Sequence, residues 1–151
     1  IVAPAWLHEK LLIAKQAADL HTSSFTQKII AEFLSDNNLD EHIAKITTAY
    51  GNQCRAVQSA LGRYFPPSIS FTKPEGGMFL WGRLPAGMDS MELFQAAVRE
   101  KVVFVPGNPF YTGEGQTSTL RLSFSCVDSE TIEEGVQRMA SALEQLGKSM
   151  N

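Results

Sequence analysis

Several common chemistries leave no mark on this chain. Cysteine is scarce: Cys54 and Cys126 are the only two in 151 residues. They lie far apart, so neither a disulfide framework nor a thiolate metal site has a spacing to rest on, and a reduced, cytoplasmic chain is the expectation. His8, His21 and His42 have no Cys or Asp at a telling distance, so no nucleophile triad is visible. Basic residues are in deficit, 13 Lys and Arg against 16 Asp and Glu. The net charge of −3 leaves no footprint for nucleic acid. No apolar run approaches the roughly 20 residues that a membrane helix needs. Gly76-Gly77 is too short a glycine run to cradle a phosphate. Asp36, Asp40, Glu41, Glu133 and Glu134 read as helix-end charges, and no pair of them reads as a general acid and base. Repeats, low-complexity tracts, an initiator Met and a signal-peptide pattern are all missing. Ile1-Val2-Ala3-Pro4 reads as the end of a buried strand entering a turn, and the expectation is a piece of a longer protein.

What is present suits a folded core: 44% of residues are hydrophobic and 19% charged. The patterning predicts a helix from Pro4 to about Leu20, with Leu7, Leu11, Ala14 and Ala18 as its stripe. His21-Thr22-Ser23-Ser24 breaks it. Ser24 and Gln27 form a capping-box pattern for a second helix whose buried face is Phe25, Ile29, Ile30, Phe33 and Leu34. A long helix is expected from Asp40 to about Tyr64, with a narrow seam of Ile43, Ile46, Tyr50, Cys54, Val57 and Leu61. Gly51 inside it predicts a bend or close packing. Pro66-Pro67 ends it.

Beyond that point the pattern changes. A short strand is expected at Ile69 to Phe71, a glycine turn at 73–77, and a second strand from Met78 to Trp81. A helix capped by Asp89 or Ser90 runs to about Glu100, with Leu93, Phe94, Ala97 and Val98 inward. Val102 to Val105 reads as a continuous apolar strand, followed by a Pro106-to-Pro109 turn, Phe110-Tyr111 and a polar loop from Thr112 to Thr117. A last helix, capped by Asp128 or Ser129, carries Ile132, Val136, Met139, Leu143 and Leu146 as its core stripe. The fold class is therefore α+β, a small sheet covered by helices. Three segments follow: 1–39, a strand end and two helices that cannot form a core alone; 40–64, a connecting helix; and 65–151, the α+β part.

The strand Ser118 to Ser125 carries the feature that needs explaining. Leu120, Leu122 and Phe124 alternate with Thr119, Arg121, Ser123 and Ser125. A guanidinium in the middle of the polar face is either a solvated surface charge or a fork held out for a carboxylate, which it binds through two parallel hydrogen bonds. Two other stretches are open in the same way. Pro74-Glu75-Gly76-Gly77-Met78-Phe79 is a hairpin turn or a close backbone approach. Val105-Pro106-Gly107-Asn108-Pro109-Phe110-Tyr111 is a packed turn or a rigid presenter of aromatics. From these residues alone the reading stops at one wall of a carboxylate site.

Taken together and in order, Pro74 to Trp81, Val105 to Tyr111 and Leu120 to Ser125 closely resemble the carboxyl-terminal region of fold-type I pyridoxal-phosphate (PLP) aminotransferases, nearest to the α-aminoadipate/kynurenine aminotransferase-like subgroup. Leu20-His21-Thr22-Ser23 with Gln27, and Asp40 to Ile43, resemble the same subgroup. The resemblance implies a small carboxyl-terminal domain with an antiparallel or mixed sheet, a connecting helix, and at 1–39 a remnant of the large PLP-binding domain. It implies that Arg121 binds the substrate α-carboxylate, that Phe79 walls the substrate pocket, and that Leu20, His21, Thr22 and Ser23 lie near a dimer partner's site. It implies amino acid and 2-oxo acid substrates and a homodimeric parent. The Lys that anchors PLP in that family lies upstream of the strand matching residues 1–4, and Lys10, Lys15, Lys28, Lys45, Lys73, Lys101 and Lys148 do not match its motif. A transfer reaction is thus expected of the parent and not of this piece. The alternative is the effector part of an aminotransferase-like transcription regulator.

Overall fold

A computed structural model describes residues 2–113 and 117–149 of the chain. Ile1 and residues 114–116, within two of the expected segments, fall outside the described residues. The chain divides into two compact units, Ile1–Ala44 and Lys45–Asn151, and the division falls inside a helix.

The first unit contains α1 (Ala5–Ala18), α2 (Ser24–Asp36) and the start of α3 (Leu39–Tyr64). Neither α1 nor α2 has a buried residue. Leu7 and Leu11 are half-buried, whereas Phe25, Ile29, Ile30, Phe33 and Leu34, expected to be inward, are exposed. Their spacing is that of a packing face, but two helices supply no opposing layer to close it. The capping box is not formed either. Ser23 is the N-cap without a side-chain bond, and Gln27 Nε2 donates instead to the Thr22 carbonyl at 2.8 Å.

The second unit holds the core. Its sheet has the order β1 (Ser70–Phe71), β2 (Phe79–Arg83), β4 (Thr119–Ser123), β3 (Val105–Pro106), and every pairing is antiparallel. Leu80, Leu120, Leu122 and Phe124 face a core closed by Val57, Ala60 and Leu61 of α3, Leu93, Ala96 and Ala97 of α4 (Ser90–Arg99), and Ile132, Val136, Met139 and Leu143 of α5 (Ser129–Ser149). The expected seam of α3 therefore deepens along the helix. Ile43 is exposed, Ile46, Tyr50 and Cys54 are half-buried, and Val57 and Leu61 are buried. Gly51 marks neither a bend nor close packing: α3 runs unbroken through it, and an added Cβ would meet only the end of Arg55, at 3.6 Å.

Both caps expected of the later helices form. Asp89 Oδ1 accepts from Met91 N at 2.6 Å and Asp128 Oδ1 from Thr131 N at 2.8 Å. These satisfy amide donors that a helix start leaves without intrahelical partners. The Asp128 bonds, chiefly the one from the Thr131 amide, hold its carboxyl below the usual range. The end of α3 is tied to α5 through Glu133, which accepts from Tyr64 Oη at 2.8 Å and pairs with Arg63. Glu134 instead pairs with Arg138 on its own helix, at 2.5 Å.

Further expectations inside this unit need correction. Val98 is exposed rather than inward. The run from Val102 to Val105 is not one strand; only Val105–Pro106 pairs with β4. The reason lies at the end of α4. Lys101 adopts a left-handed backbone, φ 62°, and Val102 N returns to the Ala97 carbonyl at 2.9 Å. The chain thus closes the helix before it can extend. Phe104 drops into the core against Phe94, with ring centroids 5.6 Å apart, while Val103 is left 74% exposed.

Candidate functional site

Alternation along β2 and β4 sends Leu80, Leu120 and Leu122 to the core and Phe79, Trp81 and Arg121 to the opposite face. The register sets Trp81 and Val105 directly beside Arg121 on either side. Arg121 leans against two rings. Its Cζ lies 4.2 Å from the centroid of Phe79 and 4.9 Å from that of Phe110. Phe110 in turn meets Trp81 edge to face at 5.5 Å, and Tyr111 tilts against Trp81 at 6.3 Å.

Among the described residues the Arg121 side chain forms no ion pair and no hydrogen bond. The residue is half-buried among aromatic rings, yet its five side-chain N–H donors have no acceptor among the described residues. A fixed cation in that state is suited to a planar anion that accepts two parallel hydrogen bonds. No lysine and no carboxylate is among the neighbours that the register and the ring contacts define.

The turn that brings Phe110 to this face is held by packing at its base. Gly107 N donates to the Thr119 carbonyl at 2.7 Å, and an added Cβ at Gly107 would lie 2.0 Å from Thr119 Oγ1. Only glycine permits that approach. It also explains why Thr119, expected on the polar face, is fully buried. Gly82 plays a similar part on the core face, where a Cβ would strike the Phe71 ring at 2.7 Å.

Of the residues singled out in the sequence, Arg121 and Phe79 come into contact. The glycine turn does not join them. Gly76 and Gly77, the latter with φ 80°, line a groove of about 460 Å³ with Tyr50, Cys54, Met78 and Phe124. Phe124, just past the end of β4, packs into the core, so this groove is not the Arg121 face. Leu20, His21, Thr22 and Ser23 lie in the first unit, in the turn between α1 and α2, and all four are exposed. There His21 Nδ1 meets the Thr22 carbonyl at 2.9 Å.

Trp81 and Phe110 were not singled out for the site. Trp81 was within reach of sequence reasoning, since it lies two residues from Phe79 on the same face of a strand. Phe110 was recognised only as an aromatic in a rigid turn, because the pairing of β3 with β4 that places it cannot be read from local pattern.

No group of His, Cys, Asp and Glu among the described residues could hold a metal ion, and no helix there is long and apolar enough to cross a membrane. Comparison with known proteins adds the following. The family model for aminotransferase class I and II matches residues 3–139. A 2-aminoadipate transaminase of Thermus thermophilus is 41% identical over 91% of this chain and 34% of its own length. The aromatic-amino-acid aminotransferase 1 of Thermococcus litoralis is 39% identical over 96% of this chain and 35% of its own. Among solved structures, the α-aminoadipate aminotransferase LysN of Thermus thermophilus, complexed with N-(5'-phosphopyridoxyl)-L-leucine, superposes with a TM-score of 0.84 at 41% identity, covering 96% of this chain and 37% of that one. The chain spans about a third of the length of the relatives it matches.

Proposed function

The chain belongs to the class I and II aminotransferases, and from that premise we propose that it is the carboxyl-terminal, carboxylate-binding part of a longer PLP-dependent aminotransferase. In this reading Arg121 receives the carboxylate shared by an amino acid and its 2-oxo acid, and Phe79 forms a wall beside it. The observation that carries the reading is the Arg121 guanidinium itself, half-buried against two rings and without an acidic partner among the described residues. Lysine would fit the role poorly, because the N–H bonds of an ammonium diverge from one nitrogen and cannot run parallel to the two oxygens of a carboxylate.

The surroundings of Arg121 fit a substrate carboxylate and not the cofactor, since no lysine amine stands among the neighbours that the described residues supply. PLP bound in the longer protein would supply the electron sink for amino transfer. What this chain contributes is orientation: an anchor that fixes one end of the substrate while its amino group reacts elsewhere. The relatives act on different donors by name, an aminoadipate in one and aromatic amino acids in the other. A single guanidinium reads only the group those donors share.

The turn Leu20 to Ser23 is assigned, as part of the same proposal, to a contact near the partner subunit's site in a homodimer, and residues 1–39 to a remnant of the large domain. A cytoplasmic enzyme agrees with the reduced cysteines expected above. The regulator alternative is the weaker reading: HTH-type transcriptional regulators of Escherichia coli also match this chain, but at 28% identity against 39–41% for the two aminotransferases.

Arg121→Ala in the longer protein tests the assignment. Losing a charge-assisted contact of about 1.5–3 kcal/mol should lower kcat/KM for the amino acid by about 10- to 150-fold. Unchanged kinetics would reject it. Titrating this chain alone with PLP should leave the cofactor's absorbance unshifted; a clear shift would show that it holds a covalent anchor after all.

A further inference from the structure

We propose that Phe110 is a positioning residue for Arg121, acting with Phe79 as a pair of rings that hold the guanidinium with its donor edge free. This rests on the carboxylate reading above and adds a residue to it. The rings reach Arg121 from the two strands that flank β4. Phe79 comes from β2, and Phe110 from the 3-10 turn Asn108–Phe110 that follows β3. At 4.2 and 4.9 Å from Cζ, both are within the range where a ring face attracts a cation. A long side chain with many rotamers is thereby confined without using any of its N–H groups. An acidic residue in the same place would also confine it, but would occupy the donors that the substrate needs.

Phe110 is itself fixed from behind. Trp81 meets it edge to face at 5.5 Å, and Phe110 N donates to the Gly107 carbonyl at 3.0 Å. Ser90 N bonds the Thr117 carbonyl at 2.7 Å, and Ser90 Oγ donates to Asn108 Oδ1 at 3.4 Å. These contacts join the start of α4, the turn and the approach to β4. The ring that steadies Arg121 is therefore carried by a tethered turn, not by a free loop.

The experiment uses the longer, cofactor-loaded protein. Phe110→Leu keeps apolar bulk and removes the ring; because Phe110 is 49% exposed, folding should be little affected. Loss of one cation–ring contact should raise KM for the amino acid by about 3- to 10-fold and change kcat less. Phe110→Tyr should restore the wild-type KM, and Phe79→Leu should repeat the effect from the other side. In an Arg121→Lys background, Phe110→Leu should add little, since the two residues act as one unit. An undiminished loss in that background, or an equal fall in kcat, would assign Phe110 to general packing and overturn the proposal. So would an unchanged KM in Phe110→Leu when Arg121→Lys is impaired, and in that case the carboxylate reading stands. Wild-type kinetics in Arg121→Lys would instead remove the carboxylate reading itself.

Discussion

The two units differ in what their apolar residues achieve. In Lys45–Asn151, Leu80, Leu93 and Leu120 are wholly buried between sheet and helices. In Ile1–Ala44, Phe25, Ile29, Ile30, Phe33 and Leu34 are spaced as regularly, yet each is 47% exposed or more. Periodicity marks which face of a helix is meant for packing; burial needs a second layer to receive it. The second unit holds such a layer within its own sequence, and only there can the outer face of a sheet hold Arg121 in place. Among the described residues the first unit shows a packing face and no layer of its own to cover it.

Substitutions sharpen this contrast, and the largest effect should fall in the core. Leu93→Ala should destabilise the second unit by about 2–5 kcal/mol, because its side chain is fully enclosed and leaves a cavity. Thermal or denaturant unfolding would measure it, and a loss under about 1 kcal/mol would show that the core is looser than described. Gly107→Ala should cost about 1–3 kcal/mol, since the new methyl meets Thr119. It should also lower activity in the longer protein, because the turn it disturbs carries Phe110.

A smaller effect is expected at acid pH. Hydrogen bonding from Tyr64, with a lesser part from Arg63, holds the Glu133 carboxyl below its ordinary value of 4.5. A carboxyl whose value is lower in the folded state contributes stability that is complete above 4.5 and fades as pH falls through the folded value. Glu133→Gln should therefore make stability less steep in pH below 4.5 and change that slope little near neutrality. An identical acid profile for variant and wild type would contradict the link between α3 and α5. Smallest of all, Phe33→Ser should alter the stability of this chain by less than about 0.5 kcal/mol, as for other exposed sites. A loss of several kcal/mol would mean that the apolar face of α2 is packed after all.

Much of this was legible in the sequence for physical reasons. Helices α1 to α5 follow from apolar spacing, and the Asp89 and Asp128 caps from side-chain chemistry that acts over two or three residues. Arg121 stood out because period-two alternation assigns faces without any knowledge of the sheet. What failed depended on distant partners. The left-handed Lys101 shortened β3, and the burial of Thr119 depends on Gly107, twelve positions earlier. The glycine turn resembles Arg121 only in character, since its groove neighbour Phe124 packs into the core, on the other side of the sheet. Phe110 reached Arg121 through strand pairing that no local pattern encodes.

The central claim is that Arg121 recognises a carboxylate. It is tested most directly by comparing, in the longer protein, kcat/KM for an amino acid with kcat/KM for the corresponding amine that lacks the carboxylate, before and after Arg121→Ala. The account predicts that the wild-type preference for the amino acid shrinks by about tenfold or more, because the variant loses a contact that only the acid makes. A preference that survives the substitution intact would contradict it.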